Sequence, residues 1–173
     1  MSEAASEFCE VRIMGLPLAV QVLAHEQHDE LMREFALLEL AGPTADERHV
    51  PRRLRELMSA LLQQYGAVGA APEAEREAAR ARGDVTVDLV YRTPVAVGAA
   101  CTALSTLLDE ADEFCRSGAQ LLTLAALPEL VAYRHWYLGE FAAQCRGEQP
   151  TAWAAYAGSH GVVVPGQREL GQL

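Results

Sequence analysis

Three times along this chain a short apolar stretch runs into a proline and then into residues with helical spacing: Val11–Pro17, Val85–Pro94 and Leu121–Pro128. Proline fixes φ and lacks an N–H, so it tolerates the first turn of a helix and ends a strand ladder. The repeat predicts strand-to-helix units and hence an α/β (or α+β) chain. The middle unit is the clearest. Val85, Val87, Leu89 and Tyr91 alternate with Thr86, Asp88 and Val90, the period-two pattern of a half-buried strand. Glu10–Leu16 alternates Val11, Ile13 and Leu16 with polar or small neighbours, and Leu121–Ala126 reads as a third, short apolar strand.

Helical spacing fills the rest. In Leu18–Leu40, Val20, Leu23, Ala24, Leu31, Phe35 and Leu38 fall near one face, and Gly42–Pro43 ends the run. Val50–Tyr65 carries a stripe of Leu54, Leu57, Met58, Leu61 and Leu62. Glu73–Arg82 is nearly all Ala, Glu and Arg, with little to bury, and reads as a mobile or partner-facing helix. Further helices are predicted from Pro94 to Cys115 and over Glu129–Arg146. The predicted order is β-α-α-α-β-α-β-α. It gives a small three-stranded, partly parallel sheet, with a right-handed βαβ unit between the second and third strands. Helices would cover mainly one face. Residues 1–8 read as a flexible tail, 9–147 as a single domain, and 148–173, rich in Gly, Pro and Ala, as a largely irregular tail.

Composition removes several chemistries. The chain has no lysine and no asparagine, so all 14 basic residues are arginine. That excludes a phosphate-loop lysine, a Schiff-base lysine and an asparagine holding a Mg²⁺–nucleotide. No nucleophile elbow is present either. A net charge of −10 argues against nucleic acid as a partner. Residues 51–82 depart from that balance, with six Arg against four Glu, and fit either a solvated helix face or a contact for an acidic partner. No apolar run approaches the length that spans a bilayer, and Met1–Glu10 lacks a signal-peptide core, so no membrane and a cytoplasmic location are expected. Cys9, Cys101, Cys115 and Cys145 are far apart and in a reducing compartment read as small hydrophobes.

Four constellations carry possible chemistry. His25 and His28 lie three apart rather than the four of a zincin helix; they suit a metal shared with a carboxylate, or simply a polar helix face. Asp109, Glu110, Asp112 and Glu113 crowd the end of a predicted helix, where negative charge opposes the macrodipole. They read as a solvated acidic face or as a docking patch for a basic partner. Tyr133-Arg134-His135-Trp136-Tyr137 holds three of the 11 aromatics in five residues, on a different side of its helix from Val131, Leu138, Ala142 and Cys145. A helix apolar on two sides is sandwiched within its own fold, with Trp153 and Tyr156 in reach, or it waits for a partner. Cys115 with His135 would make a thiol–imidazole pair only if the fold joined them.

Three blocks carry a resemblance: His28–Leu38, Leu107–Cys115, and Leu121–Leu124 with Tyr137–Phe141. They resemble small actinobacterial regulatory proteins associated with anti-sigma factors and their STAS-domain antagonists. The strand–proline–helix opening also looks like the start of anti-sigma serine kinases of the histidine-kinase-like ATPase fold. The chain lacks the asparagine and the D-x-G-x-G turn of that fold, so the resemblance implies regulation and assigns no catalytic residue. The expectation is a non-enzymatic, cofactor-free regulator that binds a protein in a sigma/anti-sigma-type pathway. Tyr133, Arg134, Trp136, Tyr137, Asp109, Glu110 and Glu113 form the contact surface, and a Trp136→Ala, Tyr137→Ala pair weakens binding without unfolding. One alternative is a small-ligand sensor with a pocket at Tyr91, Arg92, Tyr133 and Arg134. Another is a metal-dependent enzyme using His25 and His28.

Overall fold

The computed structural model describes residues 8–41, 45–65, 69–117 and 126–162. Its sheet has two strands, β1 (Phe8–Pro17) and β2 (Thr86–Pro94), paired antiparallel with Val11 opposite Tyr91 and Ile13 opposite Leu89. The alternation seen in the sequence sets the burial. Val11, Ile13, Val87, Leu89, Tyr91 and Thr93 are buried, while Glu10, Arg12, Met14, Asp88, Val90 and Arg92 are exposed. One face is therefore covered and the other open, as expected. The register shifts between Ile13 and Leu16. Gly15 sits there at φ +67°, a conformation that disfavours a side chain, and donates its N–H to Asp88 Oδ1 at 2.6 Å.

The partly parallel, three-stranded sheet is not what the described residues form. Strands that alternate apolar and polar can leave one face in water, which suits antiparallel pairing; parallel strands are covered on both faces. Residues 121–125 of the expected third strand lie outside the described residues, and Ala126 is irregular.

Among the described residues six helices join the sheet: α1 (Leu18–Ala41), α2 (Ala45–Tyr65), α3 (Ala70–Arg82), α4 (Ala96–Arg116), α5 (Pro128–Gln144) and α6 (Trp153–Ser159). The side chains of Leu38 and Leu62 lie outside those described. Phe35 of α1 meets Phe114 of α4 edge-on at 6.0 Å, and Leu54 of α2 is fully buried in the same core. α4 and α5 approach closely at Gly98, where an added Cβ would lie 3.2 Å from the Cβ of Cys145 and 3.3 Å from the Cα of Ala142.

α5 is the centre of the molecule, with Leu130, Tyr133, Trp136, Leu138, Phe141 and Ala142 all buried. Its C-terminal end is fixed to the sheet by polar side chains. Gln144 accepts the Arg12 N–H at 2.8 Å and donates to the Arg12 carbonyl at 2.9 Å, completing the free edge of β1 as a neighbouring strand would. Glu140 accepts from Gln144 at 2.7 Å and from the Thr151 N–H at 3.0 Å.

One reading of the sequence is refined here and another corrected. Within 148–173, expected to be largely irregular, 153–159 form α6, and 163–173 lie outside the described residues. Trp153 and Ala157, one turn apart, bury against the core, and Trp136 Nε1 donates to the Thr151 carbonyl at 2.7 Å. Cys9 and Cys145 are not small hydrophobes but a disulfide with a Cα–Cα distance of 5.4 Å across a sequence separation of 136. Only the fold brings them together, one at the start of β1 and the other at the end of α5. No helix among the described residues is long and apolar enough to cross a membrane.

Candidate ligand-binding site

A cavity of about 260 Å³ opens between α1, α4 and α5, with one residue each from α2 and α3 at its edge. Leu31, Met58, Leu104, Leu108, Leu130 and Leu138 make its apolar wall. They come from α1, α2, α4 and α5, so the cavity lies where the apolar surfaces of four helices fail to close completely. Its polar lining is Gln21, His25, Gln27, His28, Arg76, Asp112, Arg134 and the two phenols Tyr133 and Tyr137.

Asp112 and Arg134 form one unit. Asp112 is buried and accepts from the Ala126 N–H at 3.0 Å and from Arg134 Nη2 at 2.8 Å. The same Nη2 reaches Asp109 Oδ1 at 2.5 Å, and His135 Nε2 lies 2.8 Å from that oxygen. Arg134 Nε is buried with no hydrogen-bond partner. Arg76 repeats the pattern. It pairs with Glu73 one turn earlier on α3, and its Nε is likewise buried and unpartnered. A buried donor left unmade costs about 1–3 kcal/mol, more when it is charged. Of the four such atoms among the described residues, two belong to arginines that line this cavity.

The titrating neighbours hold their neutral forms. Burial pushes the Tyr133 hydroxyl up, and pushes Tyr137 well up with help from Tyr91, whose hydroxyl lies 2.9 Å from that of Tyr137. The Arg76 charge opposes both shifts, which places its guanidinium near the phenols. Burial lowers His28 below its usual 6.5, against Asp29 and with a smaller push from His25.

The fold redistributes the residues expected at functional sites. Tyr133 and Trp136 are buried, at 6% and 1% exposure, and Tyr137 is partly buried. Trp136 packs on Trp153 at 5.3 Å, and Tyr133 on the same ring at 5.9 Å. The rings therefore do not form an open contact surface; α6 already occupies it. The acidic run is paired within the chain: besides Asp109, Glu110 pairs with Arg53 of α2 at 3.0 Å and the exposed Glu113 with Arg116 at 2.9 Å. Those ion pairs explain why acids are tolerated at a helix C-terminus.

Of the expected pocket residues, Tyr133 and Arg134 line the cavity. Tyr91 stands behind Tyr137, and Arg92 points to the open face of the sheet, 5.4 Å above the Phe8 ring. His25 and His28 both reach the cavity, with His25 also 3.5 Å from Asp29. Among the described residues no group of three His, Cys, Asp or Glu is placed to hold a metal. Cys115 and His135 do not form a catalytic pair: His135 is engaged with Asp109. Burial, with Asp112 and Glu34, pushes the Cys115 thiol up to about 11. Cys101 is pushed up to about 12 by burial alone.

Sequence reasoning missed Arg76. The signal was available, since Pro72, Arg76 and Ala79 share one face of α3, and Pro72 and Ala79 are its buried residues. An arginine in the apolar row of an otherwise polar helix marks something to be reached. Glu140 and Gln144 were missed because each looks like an ordinary surface residue until its partner strand or segment is known.

No protein-family model, curated protein or solved structure matches the chain. The resemblance to partner-switching regulators thus rests on its sequence blocks alone.

Proposed function

We propose that this protein is a ligand-binding regulator: it holds a small organic molecule in the interhelical cavity and does not transform it. The carrying observation is a cavity with a wall of leucines and one methionine that is also lined by two arginines, Arg76 and Arg134. Binding sites have that composition, an apolar wall with a few convergent polar groups. Several features favour holding over chemistry. Asp112 is engaged by Arg134 and the Ala126 N–H, burial keeps the phenols protonated, and both free thiols are far above neutral pH.

The test is a melting screen with a library of small amphiphiles, run on the wild type and on Ala24→Phe, which places a ring in the cavity. A ligand at a hundred times its Kd stabilises by about 2.7 kcal/mol. Compounds that raise the wild-type melting temperature and leave Ala24→Phe unmoved support the reading. A library that shifts neither protein, or both equally, rejects it.

The protein-partner reading, in a sigma/anti-sigma-type pathway, is favoured by a different surface from the one expected. The open face of the sheet exposes Phe8, Met14 and Val90. Loss of a captured sigma-pathway protein in Val90→Glu would support it, and unchanged capture would remove this surface. The cytoplasmic location bears on the same question. In a reducing cytoplasm the Cys9–Cys145 bond would be held open, whereas an oxidising compartment would keep it closed. Alkylation of the two thiols before cell lysis, read by mass, decides between them.

A further inference from the structure

The polar groups of the cavity are unequal, and the inequality points to a class of ligand. Two guanidinium groups line it against a single carboxylate, Asp112. Asp112 is already spent on Arg134 and the Ala126 N–H. Arg134 in turn is held by two carboxylates, Asp109 and Asp112. Arg76 is held differently. Its side chain is 15% exposed, but its partner Glu73 is 56% exposed and belongs to the same polar helix. An ion pair with so wet a partner is weak and readily exchanged. Arg76 is thus a mostly buried cation that lines the cavity, with a largely solvated counterion and a Nε–H that makes no hydrogen bond. The remaining polar neighbours, the phenols of Tyr133 and Tyr137 with Gln21, Gln27, His25 and His28, carry no negative charge to repel an anion.

Size limits the rest of the molecule. A cavity of about 150 Å³ accepts benzene, so about 260 Å³ accommodates on the order of ten non-hydrogen atoms. The wall that would meet them is mostly aliphatic, Leu31, Met58, Leu104, Leu108, Leu130 and Leu138, with Tyr133 and Tyr137 as its aromatic members.

We propose that the cavity takes an organic monocarboxylate with an unbranched or lightly branched aliphatic body, its head group anchored by the Arg76 guanidinium and its body laid along the leucine wall. This rests on the reading of the cavity as a binding site and goes further by fixing charge, size and anchor. The guanidinium fork suits a carboxylate because it offers paired donors in one plane. Exchange of Glu73 for the ligand leaves α3 tied to its bound molecule, so a polar helix with little to bury acquires a reason to be where it is.

The experiment is calorimetric titration of the full chain with three probes that share one body: octanoate, octanol and octylamine. Octanoate should bind at least tenfold more tightly than either of the others. Arg76→Met should lower octanoate affinity at least tenfold and leave octanol unchanged. The wild-type comparison of probes does not depend on the variant folding, and Arg76→Gln serves as a second variant. Equal binding of octanoate and octanol overturns the anion and the anchor while the cavity reading survives. Binding of library compounds without binding of octanoate overturns the ligand class alone. If neither octanoate nor any library compound binds, both this inference and the reading beneath it fail.

Discussion

α5 is packed on two sides that follow different rules. Toward α6, Trp136 and Trp153 stand 5.3 Å apart, Tyr133 leans on both rings, and Trp136 Nε1 has its acceptor in the Thr151 carbonyl. The one unmade donor there, Trp153 Nε1, is neutral, and Trp153 does not line the cavity. Toward α1 and α3 the same helix borders a cavity of about 260 Å³, and the unmade donors are charged. A closed, apolar contact stabilises the fold. A cavity with unspent charged donors does the reverse, and its persistence in a stable fold is intelligible when something else fills it. The difference teaches where to look for function: on the side of α5 that is worse packed, not on the side richer in aromatic rings.

The comparison can be broken most directly at Trp136. Trp136→Ala removes a fully buried ring from the closed side and should cost about 3–5 kcal/mol, read as the shift of the urea midpoint. The double change with Tyr137, expected from the sequence to spare the fold, should unfold the protein outright. A small loss, under about 1 kcal/mol, would mean that the α6 contact is not the tight one.

Next in size is the Cys9–Cys145 bond, which fixes the end of α5 against β1. Cys9→Ser should cost about 2–4 kcal/mol and make the melting temperature insensitive to reductant. Arg76→Met tests the open side. Because it removes a mostly buried cation with an unmade donor, it should change stability by less than about 1 kcal/mol in either direction while impairing binding. A large destabilisation would show that Arg76 is structural.

The smallest effect is at His28. Its folded-state value lies below 6.5 because burial disfavours the charged form. The unfolded chain therefore takes up the proton first, and stability should fall as pH drops below about 6.5 toward the folded value. His28→Gln should flatten that part of the stability–pH curve, measured by urea unfolding at several pH values between 7 and 5.

How much of this was legible beforehand depends on the range of the interactions. The strands at Val11–Leu16 and Val87–Tyr91 and the helices around Leu31, Leu54 and Leu130 show in the sequence because period two and period 3.6 are local properties. The aromatic run at Tyr133–Tyr137 was visible as a helix apolar on two sides, and packing by Trp153 was one of its two readings. What local pattern cannot supply is which second surface arrives. α6 arrived at the rings. Asp109 and Asp112 became partners of Arg134, although they lie 25 and 22 residues away.

Neighbouring residues and composition alone set the periodic elements, the one-sided sheet and the loss of lysine- and asparagine-based chemistry. Packing set the antiparallel pairing, the Cys9–Cys145 bond, the burial of Trp136 and the place of Arg76 beside the leucine wall. Each of these depends on contacts between residues far apart in the chain, and such contacts form only when helices and strands of fixed length pack against one another.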